Sequence, residues 1–341
     1  MQRVSYAGSG SVPDLVTIGE TMIVLVPVER GPLAASPGLS MHVGGAESNV
    51  AGFLADLGFR ARWSGIVGDD PFGDVVLSRL ADRGIDIGSA TRLHGQRTGF
   101  YVKELPELPA GGRTRIHYAR AGSAATFLDP ARARDERLAR SRILHLTGIT
   151  PALSPGARDM VWASVTERAD PDRIVSFDVN SRPPLWPARI AGPELARIAG
   201  RCDLVFVGMD EARALWGCET VSDVGELLPG AGTVVVKDGA VGAYCLPRDG
   251  DPGFVPALRV RVVEDVGAGD AFAAGYLGGL LAGWPVRRRL RLGHLLAAHA
   301  LSVTGDNVKV PGLDTFAAPC GLPADEWGRL SFEIADDSWA A

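Results

Sequence analysis

The stretch from Glu264 to Leu280 reads EDVGAGDAFAAGYLGGL, with glycines at 267 and 269, an aspartate at 270 and then an apolar Gly/Ala-rich run. A helix that starts at such a turn leaves its first N–H groups without an internal partner. Those groups carry the positive end of the helix dipole and can hold an anion such as phosphate. Glycine lets the backbone approach that anion closely. The same dipole favours the carboxylate form of Asp270. A carboxylate beside an anion hole suits removal of a proton from a hydroxyl while phosphoryl charge builds up nearby. The plainer reading of Asp270 is a helix N-cap, and GAGD alone does not decide between them.

The run Val266 to Trp284 is about as long as a membrane span. It holds Asp270 and six glycines, however, so a buried helix of a water-soluble chain is expected. No GxxxxGK[ST] loop occurs, and no GxGxxG follows the first strand, which disfavours P-loop enzymes and dinucleotide dehydrogenases.

The elements that must position this turn are legible as apolar runs. Strands are expected at Leu15–Ile18, Met22–Val26, Arg62–Val67, Ile143–Leu146, Ile174–Phe177, Leu204–Val207 and Thr233–Val236. Helices are expected from Ala46 to Leu57, from Pro71 to about Gly84, after Ser154-Pro155, and over Asp210–Trp216. Val241–Val263 reads as a hairpin excursion whose last strand, Val260–Val263, enters the glycine turn, and two helices then complete the core. Alternating strands and helices imply an α/β fold, a mostly parallel sheet with helices on both faces. Half-polar strands near 22–43 and 98–120 do not alternate with helices and read as a small β-sheet lid, with a Pro/Gly linker between Lys103 and Arg113. One domain over 14–320 is expected, with 1–13 and 321–341 as peripheral tails.

The chain has 341 residues, 46% of them hydrophobic, and a net charge of −5 from intermixed acids and bases. That balance gives no general attraction to nucleic acid. Cys202, Cys218, Cys245 and Cys320 are scattered, as expected for reduced thiols of a cytoplasmic protein. The first residues contain no apolar signal-peptide core, so no secretory signal is read.

Two stretches together carry a resemblance. DVGAGDAFAAGYLGGL resembles the C-terminal signature of the PfkB/ribokinase family of carbohydrate kinases, and GGAESNVAGFLADLG (44–58) resembles its N-terminal signature. The similarity runs from about 14 to 315. RTGFYVKELP (97–106), HYARAGSAA (117–125), HLTGITPALSPGAR (145–158) and FDVNSRPPLW (177–186) are most similar to the branch that acts on 2-keto-3-deoxygluconate.

The resemblance implies a doubly wound ribokinase-like domain with a β-sheet lid, ATP and Mg2+ as cofactors, and phosphorylation of a sugar hydroxyl, here O6 of an acid sugar. It implies Asp270 as catalytic base and Gly267, Ala268 and Gly269 as the anion hole. Gly45, Asn49, Tyr101, Tyr118, Arg120 and Arg182 would contact the sugar, and Lys237, Gly239 and Gly242 the nucleotide. Two arginines suit a carboxylate, which they bind through charge-assisted, often bidentate hydrogen bonds. Two departures stand out. Glu264 replaces the family's opening Asp near the monovalent-cation loop, which leaves potassium dependence open. Gly208 replaces the Asn of an N-x-x-E pattern, which leaves Glu211 to order Mg2+ through water or to act as a first-turn helix carboxylate. His294 lies in a helix that often touches adenine in this family, and a core or surface histidine is the default there. Fructokinase, ribokinase and nucleoside kinase readings stay open, as does a non-catalytic sensor on the same fold. Pairing of lids into a homo-oligomer is a further expectation.

Overall fold

The computed structural model describes residues 12–104, 114–168, 170–303 and 308–332. The first half of the chain forms β1 (Leu15–Ile18), β2 (Met22–Pro27), β3 (Leu39–Gly44), β4 (Ala61–Ser64), β5 (Ile66–Gly68), β6 (Thr91–Leu93), β7 (Phe100–Glu104) and β8 (Arg115–Ala119). The second half forms β9 (Ile143–Thr147), β10 (Ile174–Asp178), β11 (Leu204–Gly208), β12 (Thr233–Asp238), β13 (Gly242–Pro247), β14 (Gly253–Pro256), β15 (Arg259–Val260) and β16 (Ser331–Phe332).

Eight strands make the central sheet, in the order β14-β13-β12-β11-β10-β9-β1-β4. Neighbours from β12 to β4 are parallel, and the β13–β14 hairpin closes one edge antiparallel. Successive side chains of a strand point to opposite faces, and the strands use that period to build two cores. Leu15, Ile143, Phe206 and Val235 pack with the helices Ala46–Asp56, Pro71–Asp82, Ala268–Leu281 and Val286–Leu301. Val16, Leu144, Val205 and Val234 face the helices Pro155–Thr166 and Ala188–Ala199. The expected doubly wound α/β architecture is therefore present.

The Gly/Ala-rich run is the buried helix Ala268–Leu281, and among the described residues no helix is long and apolar enough to cross a membrane. Its glycines allow close packing of the two last helices: a Cβ at Gly275 would lie 2.5 Å from the Leu292 carbonyl oxygen.

The lid is a four-stranded sheet, β3-β2-β7-β8. The chain enters it from the carboxyl end of β1 through Gly19, Glu20 and Thr21, so the lid rises from the end of the sheet where ligands bind in open α/β folds. Met22, Val24, Val26 and Tyr101 form its own small core.

Three expectations need correction. The strand expected at Arg62–Val67 is split at Gly65, where a Cβ would meet Trp63 at 2.2 Å and the Gly19 carbonyl at 2.5 Å. Its second half, β5, leaves the main sheet and pairs with β6. The strand expected at Val260–Val263 exists only as β15, because its one partner is the two-residue β16. Beyond Val260 the chain runs irregularly to the glycine turn. Residues 321–332 are not a peripheral tail: Trp327 is 2% exposed and its Nε1–H donates to the Pro256 carbonyl at 3.0 Å. The leader to residue 11, most of the 104–113 linker and the end beyond 332 lie outside the described residues.

Candidate active site

The carboxyl ends of the parallel strands and the starts of two helices converge on Asp270. The helix Ala268–Leu281 begins after Gly267, whose φ of 84° is a left-handed conformation that glycine adopts without strain. At this helix start the amides of 268–270 have no side-chain cap among the described residues.

Asp270 points inward and is 8% exposed. Asn49 Nδ2 donates to its Oδ2 at 2.9 Å, and Asn180 Nδ2 donates to its Oδ1 at 3.1 Å. Burial pushes the Asp270 carboxyl up to about 7, and the negative charge of Asp178 adds to the rise, while the Asn49 hydrogen bond, Arg182 and Lys237 oppose it. The helix dipole was expected to keep this group a weakly basic carboxylate. Desolvation is the largest influence on the group and raises its proton affinity.

Each partner is delivered by the fold. Asn49 lies one turn into the helix Ala46–Asp56. Gly45, just before it, sits where a Cβ would be 2.2 Å from the Glu20 carbonyl oxygen, so only glycine fits between helix start and lid entry. Asn180 follows the end of β10 and is the one non-glycine residue with positive φ (37°) among those described. Such a conformation is uncommon but tolerated by Asn, and here it turns the side-chain amide onto Asp270.

Lys237, at the end of β12, pairs with Asp178 at the end of β10, Nζ to Oδ2 at 2.8 Å. Burial alone would lower the lysine's proton affinity, but Asp178, Glu211 and Asp270 together raise it, so the ammonium form is held. A Cβ at Gly269 would lie 3.4 Å from this Nζ. The ammonium thus sits against the first turn of the anion-hole helix. Gly239 and Gly242, with φ of 49° and 150°, turn the chain between β12 and β13 close by in sequence.

Glu211 accepts from the amide of Ser181 at 2.7 Å and from that of Gly208 at 2.8 Å. Burial raises its pKa and Lys237 opposes the rise. Both carboxylate oxygens thus brace the loops after β10 and β11. No group of three or more His, Cys, Asp or Glu residues converges as a metal site among the described residues. Glu211 thus acts as a strut between these loops, which is compatible both with the first-turn carboxylate reading and with ordering Mg2+ through water.

Arg182 is half-buried, donates to the Ser181 carbonyl at 3.1 Å and lies close enough to Asp270 to lower its pKa. Among the described residues no carboxylate is in ion-pair contact with it, although Glu211 as well as Asp270 lies close enough to feel its charge. Arg120 differs from expectation. It is 7% exposed and ion-paired with Glu20, whose other oxygen accepts from Ser123 Oγ at 2.6 Å. Its guanidinium also lies 5.4 Å from the Tyr118 ring. Glu20, invisible as a partner in sequence, thus pairs with the charge assigned there to a sugar carboxylate, while Arg120 Nε is buried without a partner among the described residues. Tyr101 and Tyr118 face each other across β7 and β8 with ring centroids 5.5 Å apart; Tyr101 is buried, whereas Tyr118 is 37% exposed.

Three residues were missed as site members: Asp178, Asn180 and Glu47. Glu47 is buried and accepts from Thr147 Oγ1 at 2.8 Å and Thr150 Oγ1, which ties the Asn49 helix to the end of β9. The signal for Asp178 and Asn180 was the polar Asp-Val-Asn at a strand end. His294 is a core histidine. Its Nε2 is 3.1 Å from the Val255 carbonyl, and burial lowers its pKa to about 4. A separate cavity of about 510 Å³, bounded by Arg287, Arg288, Arg291 and Leu322, lies at the other end of the last helix pair.

Residues 12–312 match the model of the pfkB family carbohydrate kinases. The chain is 34% identical over 310 residues to a 2-dehydro-3-deoxygluconokinase of Bacillus subtilis (strain 168), covering 89% of this chain and 94% of the relative. It is 34% identical over 303 residues to a 2-dehydro-3-deoxygluconokinase of Thermoproteus tenax, covering 87% and 91%. Among solved structures, a PfkB protein from Polaromonas sp. JS666 superposes with a TM-score of 0.77 at 34% identity, covering 87% of this chain and 98% of that one. An uncapped helix start, a buried aspartate and two glycine-marked signatures thus meet in one site, and this chain belongs to the pfkB family of carbohydrate kinases.

Proposed function

We propose that this kinase phosphorylates the primary hydroxyl at O6 of an acid sugar, 2-keto-3-deoxygluconate, with ATP as donor. The observation that carries the reading is Arg182, a guanidinium beside Asp270 with no ion-paired carboxylate among the described residues. Asp270 and Glu211 act on this cation without contacting it, so its outer N–H groups are left for a ligand; a neutral sugar offers them only neutral acceptors, whereas a sugar carboxylate would accept charge-assisted hydrogen bonds. The names of the B. subtilis and T. tenax relatives support the same substrate.

The residues present fit a nucleotide triphosphate. The open amides of 268–270, Lys237 against them and the turn at Gly239 and Gly242 would hold its phosphates. ATP with Mg2+ supplies the phosphoryl group and part of the positive charge. Asp270 Oδ1 and Oδ2, fixed by Asn180 and Asn49, orient the sugar hydroxyl and accept its proton. With a pKa near 7 the group is better matched to this task than an ordinary aspartate. The amides and Lys237 stabilise charge that develops on the transferred group. Tyr118 on the lid would cover the sugar and exclude water, which would otherwise compete as acceptor. The edge strand β3 exposes Leu39 and Met41 by 44% and 42%, which supports pairing of two lids in a homo-oligomer, checked by light scattering.

The test is ADP release measured across 2-keto-3-deoxygluconate, its galacto epimer, fructose, ribose and a nucleoside. Preference for the two keto-deoxy acids is the expected result. A higher kcat/KM for fructose or ribose would replace this reading with that of a neutral-sugar kinase, the activity named for a rice relative, Fructokinase-1, at 32% identity.

A further inference from the structure

Lys103 and Glu264 form an ion pair at 2.5 Å, with side chains 0% and 1% exposed. Lys and Glu are almost never buried this completely unless paired. Lys103 belongs to the lid, on β7, two residues after Tyr101 and on the same face of the strand. Glu264 stands three residues before Gly267, in the chain that feeds the anion-hole turn. The lid holds that chain at a second point, where Arg30 Nη2, between β2 and β3, donates to the Val263 carbonyl at 3.3 Å. The far end of the molecule's last long helix holds it too: the amides of Val263 and Glu264 donate to the Leu301 carbonyl at 2.7 and 3.3 Å.

A buried ion pair seldom adds stability over well-packed apolar side chains, because desolvation offsets its attraction. What it does supply is a short, directional contact between two elements. Here the elements are the lid and the approach to the turn.

We propose that Lys103 is a positioning residue for phosphoryl transfer: its ammonium, carried on the lid, neutralises Glu264 and holds residues 264–267 so that the amides of 268–270 face the transferred group. The inference rests on the reading of the 267–269 turn as the phosphate-holding element. It makes the state of the lid directly felt at the turn.

The test compares Lys103→Ala and the double variant Lys103→Met/Glu264→Leu with the full-length wild type. It reads kcat, the KM for the sugar, ADP affinity by calorimetry, and melting temperature. A misplacement of the turn by about 1 Å is expected to lower kcat by about 10²-fold. ADP affinity is expected to fall about tenfold, with the sugar KM within about twofold of wild type, since the pair fixes the phosphate turn while Arg182, the proposed reader of the sugar carboxylate, stands on a separate loop. Propylammonium chloride, which refills the cavity of Lys103→Ala with a cation, should restore most of the loss, and tetramethylammonium chloride should not. If Lys103→Ala does not fold, the double variant decides. Its charges are both gone, so it should melt near wild type yet show the same losses. Turnover and ADP affinity within about twofold of wild type in either folded variant would overturn the proposal, as would a loss confined to the sugar KM or one that the amine does not restore. ADP binding is measured without sugar, so an error in the substrate assignment would leave that comparison intact.

Discussion

Asn49 Nδ2 donates to Asp270 Oδ2 at 2.9 Å across 221 positions of sequence, joining the two glycine-marked stretches of the chain. The contact forms because their helices pack side by side, with Gly278 of one against Leu54 and Leu57 of the other. It has two effects. It fixes the carboxylate plane, and it lowers a pKa that burial raises.

Replacing Asp270 should abolish the base. Asp270→Asn is expected to lower kcat by about 10²–10⁴-fold while sugar binding persists. Single-turnover measurement with the purified variant checks this, and near-wild-type turnover would remove Asp270 from the mechanism.

The raised pKa gives a pH signature. Below about 7 the free enzyme carries a protonated Asp270 and lacks the base, so kcat/KM should climb through that pH and level off above it. An Asp270 left at the ordinary carboxylate value would instead give a flat profile from pH 5 upward.

Asn49→Ala removes a hydrogen bond that favours the charged form. The acidic limb of kcat/KM should then move to higher pH. A limb that stays in place would mean that another group produces it.

Arg182→Ala should raise the KM for the acid sugar by about 10- to 100-fold, the worth of a charge-assisted hydrogen bond, and leave the KM for ATP nearly unchanged. Equal loss toward acidic and neutral sugars would show that Arg182 does not read the carboxylate.

Trp327→Ala tests whether the last described helix belongs to the domain. The side chain is 2% exposed and hydrogen-bonded to Pro256, so its removal should cost about 3–5 kcal/mol of stability. Chemical denaturation reads this directly, and a loss within about 0.5 kcal/mol, as for a surface residue, would make the segment peripheral after all.

Sequence alone determined the local features of this kinase. Apolar runs with turn residues between them marked the strands, and Gly267 to Asp270 marked a helix start open to an anion. Such features depend on neighbours in the chain, and their physics is visible there. The helix Ala188–Ala199 was not among the expected elements, and Pro193 lies inside it. The tertiary structure decided the rest. It showed that burial raises the proton affinity of Asp270, since desolvation depends on atoms brought from every part of the chain. It paired Arg120 with Glu20 and left Arg182 beside Asp270. It also added Asp178, Asn180 and Glu47 to the site. Charge partners a hundred residues apart become neighbours only when the sheet and lid close, so no spacing in the sequence announces them.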